Sequence, residues 1–186
     1  MKKMNKWVTL VIRKDLEKEC KKMKISIPVF VHMDMTDPKN EKTVMGAMAR
    51  ADVDETTGIV NWVKSKGEIH VNNYELLKLQ CKLGFLVDNE SIKYDVTLCV
   101  IRHELFHVWQ HENNYYARMH RNDRRIEESA DEWMMDMARN RREKLVSEYI
   151  HTLHFKKKGY RKEIKRLEKE LKEAYKPITG LIYKFV

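Results

Sequence analysis

The sequence contains few cysteines, no long apolar run and no low-complexity segment. Its three cysteines, Cys20, Cys81 and Cys99, are widely spaced and form no CxxC pair. Their number and spacing exclude a disulfide framework and favour a reducing compartment. The longest apolar stretches are far shorter than the roughly 20 residues that a membrane span requires. We therefore expect a cytoplasmic protein that does not enter the membrane.

The N-terminus begins with basic residues, as a secretory signal does, but it does not continue as one. Its apolar run extends only from Trp7 to Ile12, and Arg13, Lys14 and Asp15 interrupt it before any small-residue cleavage site. The spacing of the apolar positions instead predicts that residues 5–23 form the first helix of the folded protein.

Positive charge is abundant and unevenly distributed. The 186 residues carry a formal net charge of +9, and residues 141–176 hold 13 Lys and Arg against 6 Glu. Two interpretations remain open at this stage. The excess can simply be a solvated helix face, or it can attract nucleic acid, anionic lipid or acidic protein through long-range electrostatics.

Hydrophobic periodicity predicts a single α+β domain. In the first half, β-rich segments at 25–33, 43–53 and 58–64 and an alternating segment at 67–73 predict a small antiparallel sheet. In the second half, helical spacing predicts helices at about 73–83, 93–113, 124–139, 142–156 and 160–175. We expect the sheet to pack against the helix over 93–113 and against the helices that follow it.

The last predicted helix has a narrow apolar seam. Tyr160, Ile164, Leu167, Leu171 and Ala174 recur at near-heptad spacing. This seam can pack on its own domain, form a dimeric coiled coil over residues 160–175, or dock a partner. The basic face of the same helix is the main reason to consider nucleic acid as a partner.

The segment His103-Glu-Leu-Phe-His107 is the motif that indicates chemistry. Two histidines four residues apart lie on one face of a helix and can bind one Zn²⁺. Glu104 projects beside them, where it can take a proton from a zinc-activated water. The surrounding helix is apolar on nearly every side, which predicts that it is buried, and buried histidines and a carboxylate need partners.

A hydrolytic zinc site normally has a third protein ligand. One straight helix cannot bring His111 onto the same ion as His103, so His120 and the acidic cluster at 127–131 are the better candidates. In the predicted helix over 124–139, Glu127 lies at the edge of the apolar stripe and is expected to face the interior, whereas Glu128 faces water. Asp131, one turn later, can accept a hydrogen bond from a ligating histidine.

The combination of HELFH with Glu127-Glu128-Ser129-Ala130-Asp131 resembles the gluzincin clan of zinc metallopeptidases. The resemblance covers roughly residues 67–139 and implies His103, His107 and Glu127 as zinc ligands, Glu104 as general base and Asp131 as the group that orients a histidine. It also implies that the strand at 67–73 forms the rim of a cleft and pairs with an extended polypeptide substrate. In these terms, residues 1–156 are a zincin-like metallopeptidase domain, and residues 157–186 are a charged C-terminal helix and tail packed on it.

A rival interpretation is the SprT-like group of metallopeptidases, whose third ligand is a histidine. His120 would take that position, and the basic surface would fit the association of that group with DNA. Glu128 remains a further alternative for the ligand. Two other classes also stay open, namely a non-catalytic zinc domain and a nucleic-acid-binding protein with a secondary metal site. Donors for the oxyanion of the reaction could come from Tyr115, Tyr116, His120, Tyr149, His151 and His154.

Overall fold

The computed structural model describes residues 6–26, 28–34, 46–47, 67–72, 81–83, 90–113, 124–156 and 159–176. Within these ranges the chain is mostly helical, and a small sheet lies in its first half. The elements are α1 (Lys6–Met23), β1 (Val29–Asp34), β2 (Gly46–Ala47), β3 (Gly67–Asn72), α2 (Glu90–Glu112), α3 (Arg124–Asp136), α4 (Arg141–Phe155) and α5 (Tyr160–Ala174). Residues 81–82 are also helical.

The strands form a mixed sheet in the order β1-β3-β2, not the antiparallel sheet that we expected. β1 runs parallel to β3 from Val29 opposite Gly67 to Asp34 opposite Asn72. Only the short β2 is antiparallel to β3. Alternation along a strand indicates which face is buried but not the direction of its neighbour, and the long connection over residues 35–66 permits a parallel crossover.

β3 lies between the other two strands of the sheet. β1 pairs along its whole length, and on the other side the two residues of β2 pair with Val71 and His70. The expectation that residues 67–73 pair with an extended substrate stays a prediction, and the part of that second edge which β2 leaves unpaired includes residues 67–69. The predicted strand at 58–64 and most of the segments at 43–53 and 73–83 lie outside the described residues.

α2 runs through the centre of the helical half and is buried, as its composition predicts. α1, the sheet, α3 and α4 all pack against it. Ile69 of β3, which is fully buried, connects the sheet to this core. The buried apolar residues of α2 are Ile92, Val96, Leu98, Cys99, Val100, Ile101, Leu105 and Val108.

The C-terminal helix α5 belongs to the same core. Its seam residues Ile164, Leu167 and Leu171 are buried, and α5 packs along α4. Just beyond the helix, the Tyr175 hydroxyl donates a 2.6 Å hydrogen bond to Asp95 of α2. The seam therefore packs within its own chain, and a coiled-coil dimer over residues 160–175 would require these contacts to open.

Side-chain caps and ion pairs set the position of α4. The Asn140 side chain accepts hydrogen bonds from the backbone N–H groups of Arg142 and Glu143 and so caps the start of the helix. Glu143 also lies 2.8 Å from Arg102 of α2, a guanidinium that is completely buried. None of the described helices is long and apolar enough to cross a membrane.

A buried ionic cluster, here called the Arg102 network, joins α1, α2 and α4. Arg102 lies 3.2 Å from Glu19 of α1 in addition to its contact with Glu143. Arg139, just before α4, lies 3.0 Å from Asp15 of α1 and 2.9 Å from Glu143. The network thus consists of Asp15, Glu19, Arg102, Arg139 and Glu143. The contacts of Arg102 with α1 and α4 fix the rotation of α2 about its axis. Because Arg102 immediately precedes His103, they also fix the direction in which His103 leaves the helix.

Candidate metal centre

The side chains of the HELFH motif lie buried together on α2. His103, Glu104 and His107 are 5%, 7% and 6% exposed. The i, i+4 spacing stacks the two imidazoles on one face of the helix, and their ring centroids are 4.7 Å apart in an edge-to-face arrangement. Burial of three titratable side chains in an otherwise apolar helix is costly unless they have partners.

α3 brings Glu127 to these histidines. Glu127 Oε2 lies 3.3 Å from His103 Nε2 and 3.5 Å from His107 Nε2. The two Nε2 atoms are themselves 3.1 Å apart. Three potential ligand atoms from two helices therefore form a nearly equilateral triangle, although their residues lie up to 24 positions apart in the chain.

The size of this triangle fits a tetrahedral zinc ion. Zinc bonds of about 2.0–2.2 Å to nitrogen and oxygen place neighbouring tetrahedral ligands about 3.3–3.6 Å apart. Two of the three separations lie in this range, and the third, between the imidazole nitrogens, is slightly shorter. His103, His107 and Glu127 are accordingly one of the groups that could hold a metal ion.

Asp131 holds the other side of the His103 ring. Its Oδ1 atom lies 2.8 Å from His103 Nδ1, and its side chain is completely buried. One turn of α3 separates Asp131 from Glu127, so the same helix supplies a candidate ligand and the group behind it. A carboxylate at Nδ1 favours the tautomer in which Nε2 carries the free lone pair.

His107 has an equivalent anchor that sequence reasoning missed. His107 Nδ1 lies 2.8 Å from Gln110 Oε1, and the Gln110 amide donates to the Ile126 carbonyl of α3 at 3.3 Å. Gln110 is fully buried. Its position three residues after His107 is the only local signal for this role. Because Ile126 directly precedes Glu127, Gln110 also ties the second histidine to the turn that carries the third candidate ligand.

Two histidines of α4 complete the surroundings of Asp131. Asp131 Oδ2 lies 3.0 Å from His151 Nδ1 and 3.3 Å from His154 Nδ1. The sequence offered both histidines only as possible donors to the oxyanion, and their contact with Asp131 was not predicted. Their i, i+3 spacing places them on one face of α4, and that pattern was the available signal. The His154 ring also lies 5.2 Å from that of His103.

His103, Asp131 and His154 form a second group of ligand atoms that could hold a metal ion. A neutral imidazole offers one lone pair, so His103 can bind through Nε2 or through Nδ1 but not through both. Binding through Nε2 keeps Asp131 as the buried support and uses Glu127, whose side chain is 52% exposed. That choice leaves an approach from solvent, as a catalytic zinc site requires.

The electrostatics of the site favour bound positive charge. Burial lowers the pKa of His103, but its contacts with Asp131 and Glu127 outweigh burial and raise that pKa to about 10. The contacts with His103 and His107 hold the pKa of Glu127 well below its ordinary range. Without a metal, a proton on His103 balances the carboxylates. A metal would displace this proton, because the ligand must be neutral.

The pKa of Glu104 is shifted in the opposite direction. Burial raises the pKa of this carboxyl above its ordinary value, and the nearby His103 and His107 only partly oppose the effect. A carboxylate with a raised pKa is a better proton acceptor than an ordinary glutamate. Glu104 is thus suited to general-base chemistry in a way that the more exposed Glu127 is not.

Comparisons with protein-family models, with curated proteins and with solved structures found no match. The interpretation of the site therefore depends on its residues and their geometry.

The remaining candidates differ in their positions. Glu128 points to Arg124, 3.1 Å away, and does not join the histidines. Tyr149 contacts Lys82 and is not among the groups around His103. His120, Tyr115, Tyr116 and the side chain of His111 lie outside the described residues. The side chain of Glu127 is half exposed, so the expectation that it faces the interior is only partly correct. Its carboxylate does contact the two histidines.

Aromatic packing holds α3 in the orientation that this site needs. Phe106 of α2 stacks on Trp133 of α3 with ring centroids 5.6 Å apart and on Trp109 at 5.3 Å. Ile126, Ala130 and Met134 bury the remainder of the α3 stripe. Because this stripe is buried, Glu127 and Asp131 at its edge are directed along the surface of α2 toward the two histidines.

Proposed function

We propose that this protein is a zinc-dependent metallopeptidase in which His103, His107 and Glu127 bind the metal and Glu104 is the general base. The observation that carries the proposal is the triangle of ligand atoms with sides of 3.1, 3.3 and 3.5 Å, two of which match the ligand separations of a tetrahedral zinc site while the third is slightly shorter. The position of a buried glutamate directly after the first histidine supports a hydrolytic function, because a structural zinc site needs no base.

The bound metal would supply a Lewis acid that increases the acidity of a water and polarises the scissile carbonyl. Glu104 accepts the proton of that water and returns it to the leaving amine. Its burial and raised pKa suit both steps. Asp131 and Gln110 act as positioning residues, since each lies against the Nδ1 atom of one histidine and keeps its Nε2 atom directed at the metal.

The proposed substrate is a polypeptide. The half-exposed side chain of Glu127 gives access from solvent on the α3 side of the site, whereas α2 closes the other side. We further propose a cytoplasmic location, which is supported by the free state of Cys20, Cys81 and Cys99.

Zinc content per chain tests the ligand set. We expect about one zinc in the parent protein, loss of zinc in Glu127→Ala, and retention of zinc in Glu128→Ala. Glu128 is a matched control, because it is the neighbouring glutamate on the same helix and pairs with Arg124 instead. Retention of zinc in His154→Ala would separate this set from the overlapping group that contains Asp131.

His120→Ala distinguishes the SprT-like alternative. If zinc is lost in this variant and retained in Glu127→Ala, the third ligand is a histidine and the assignment moves to that group. If the parent protein purified in the presence of zinc binds none, the proposal fails altogether.

Cleavage of an unfolded protein substrate tests the activity separately. Glu104→Gln should retain zinc and lose at least about 10²–10⁴-fold in rate, the usual contribution of general acid–base catalysis. A parent protein that binds one zinc and cleaves nothing, with or without this substitution, would instead identify a non-catalytic zinc domain.

A further inference from the structure

The charges of α5 are segregated into two flanks. One flank, here called the lysine face, consists of Arg161, Lys162, Lys165, Lys169 and Lys172, all of which are exposed. At about 100° per residue these five side chains occupy an arc of roughly 100° that contains no acidic residue. Over the 12 residues from Arg161 to Lys172, which are separated by 11 helical steps of about 1.5 Å, the face is about 17 Å long.

The acidic residues of α5 are engaged elsewhere. Glu163 and Glu170 both pair with Arg166 on the other flank of the helix, and Glu148 of α4 lies 3.7 Å from the same guanidinium. The two acids that border the lysine face also have other partners. Glu168 lies 2.7 Å from Lys82, and Glu173 lies 2.7 Å from Lys176.

Within the described part of the chain the lysine face is consequently only weakly neutralised: Glu173 at its border acts on Lys169 and Lys172, but its carboxylate is paired with Lys176. No ion pair to Lys162, Lys165, Lys169 or Lys172 occurs among the residues that the structure describes. Arg161, Lys165 and Lys169 follow one another at i, i+4 spacing, and pairs of like charges at this spacing destabilise a helix. An external polyanion would remove this repulsion.

We propose that the lysine face binds the phosphate backbone of double-stranded nucleic acid without reading its sequence. Its length of about 17 Å equals the axial rise of about five base pairs at about 3.4 Å each, so its four lysines can contact backbone phosphates of one duplex. The side chains of the face are long cations and include no aromatic residue that could stack on bases. Such a surface positions a protein on a duplex but carries no sequence information.

The burial of the opposite side of α5 favours nucleic acid over a membrane. A membrane-surface helix inserts its apolar face between lipid headgroups. In this protein that face is not available, because Ile164 and Leu171 are buried and Leu167 is completely so. Attraction to a bilayer would therefore come from charge alone.

The test measures the affinity of the full-length chain for a short DNA duplex by fluorescence anisotropy over a series of salt concentrations. Four phosphate contacts predict that log K falls against log salt with a slope of about −3.6, and non-specific Kd values of about 10⁻⁴–10⁻⁶ M are expected at physiological salt. The double variant K165Q/K169Q should reduce the magnitude of the slope by about 1.8, since each lost contact accounts for about 0.9. Glutamine retains helix propensity, and a thermal melt checks that the variant is folded.

The matched control is K14Q/K18Q, which makes the same charge change at two exposed lysines of α1. An unchanged slope in this control supports the proposal. An equal decrease of the slope in both double variants would mean that binding depends only on the net charge of the protein, and it would overturn the proposal. Vesicles rich in phosphatidylserine and polyglutamate serve as rival ligands. Binding to either of them as tight as to DNA at the same salt concentration would also overturn the proposal.

Discussion

The central helix α2 carries two buried polar clusters that differ in their charge balance. In the Arg102 network, each guanidinium lies between carboxylates of neighbouring helices, as Arg102 does between Glu19 and Glu143. In the candidate metal centre, three carboxylates lie among four imidazoles, because His151 and His154 also contact Asp131. No Lys or Arg in the described part of the chain forms an ion pair with Glu104, Glu127 or Asp131. The first cluster therefore has permanent cations of its own, whereas the positive charge of the second comes from protons on its histidines or from a bound cation.

This difference in charge balance is the reason to assign a structural role to the Arg102 network and to propose a functional role for the candidate metal centre. A buried charge is tolerated when an opposite charge and hydrogen bonds accompany it, and the Arg102 network meets this condition through contacts among α1, α2 and α4. The candidate metal centre can meet it without a metal through protonated histidines such as His103, whose pKa is raised to about 10 by its contacts with Asp131 and Glu127. The following predictions test the two clusters against each other.

The largest expected effect on stability comes from breaking the Arg102 network. Arg102→Ala should lower the free energy of unfolding by about 3–5 kcal/mol, because it removes the guanidinium that Glu19 contacts and leaves the buried Glu143 with Arg139 alone. Urea unfolding measures the change. The control is Arg166→Ala, whose ion pairs on α5 are exposed and should contribute little to stability. Equal losses in the two variants would contradict the structural role of the Arg102 network.

Zinc binding at the candidate metal centre should raise the free energy of unfolding, by somewhat less than the loss expected for Arg102→Ala. At a free zinc concentration of 100 times Kd, linkage predicts a gain of about 2.7 kcal/mol over the metal-free protein. The gain should disappear in His107→Ala, which removes one side of the ligand triangle, and remain in His151→Ala. Thermal melts with zinc and with a chelator measure both. A gain that survives His107→Ala would mean that zinc binds elsewhere.

Removing the negative charge of Asp131, which lies against His103 Nδ1, should weaken zinc binding without removing a ligand. Asp131→Asn is expected to reduce zinc affinity by about 10–100-fold, as losses of groups behind metal-ligating histidines do. Competition with a chromogenic chelator measures the affinity. Asp136→Asn, an exposed aspartate on the same helix, is the matched control and should bind zinc like the parent. If both variants bind zinc equally well, Asp131 does not orient His103.

The smallest effect is expected from replacing Gln110, the uncharged side chain that contacts His107 Nδ1. Gln110→Ala removes one hydrogen bond to the ring and should cost about 1 kcal/mol, or about fivefold in zinc affinity. Asn113→Ala removes a side-chain bond to the Trp109 carbonyl at the exposed end of the same helix and controls for fraying. A loss at Gln110 as large as that at Asp131 would show that charge is not what distinguishes the two supports.

The local parts of this protein could be predicted from its sequence. The i, i+4 spacing of His103 and His107 requires only a helix, and the apolar stripe of the following helix places Glu127 and Asp131 at one edge. The helices α1 to α5 were predicted to within a few residues, because their apolar positions repeat with the period of the helix. These features depend on residues within a few turns of one another.

Only the tertiary structure decided which distant groups meet. Arg102 lies 83 residues from Glu19 and 41 from Glu143, and the approach of His151 and His154 to Asp131 depends on the packing of α4 against α3. The parallel pairing of β1 with β3 is a tertiary feature that strand periodicity does not encode. By itself, the sequence determined the helices, the histidine pair and the acidic edge of α3. The balance of charge around them is a property of the packing, because it sums contributions from helices that periodicity alone cannot bring together.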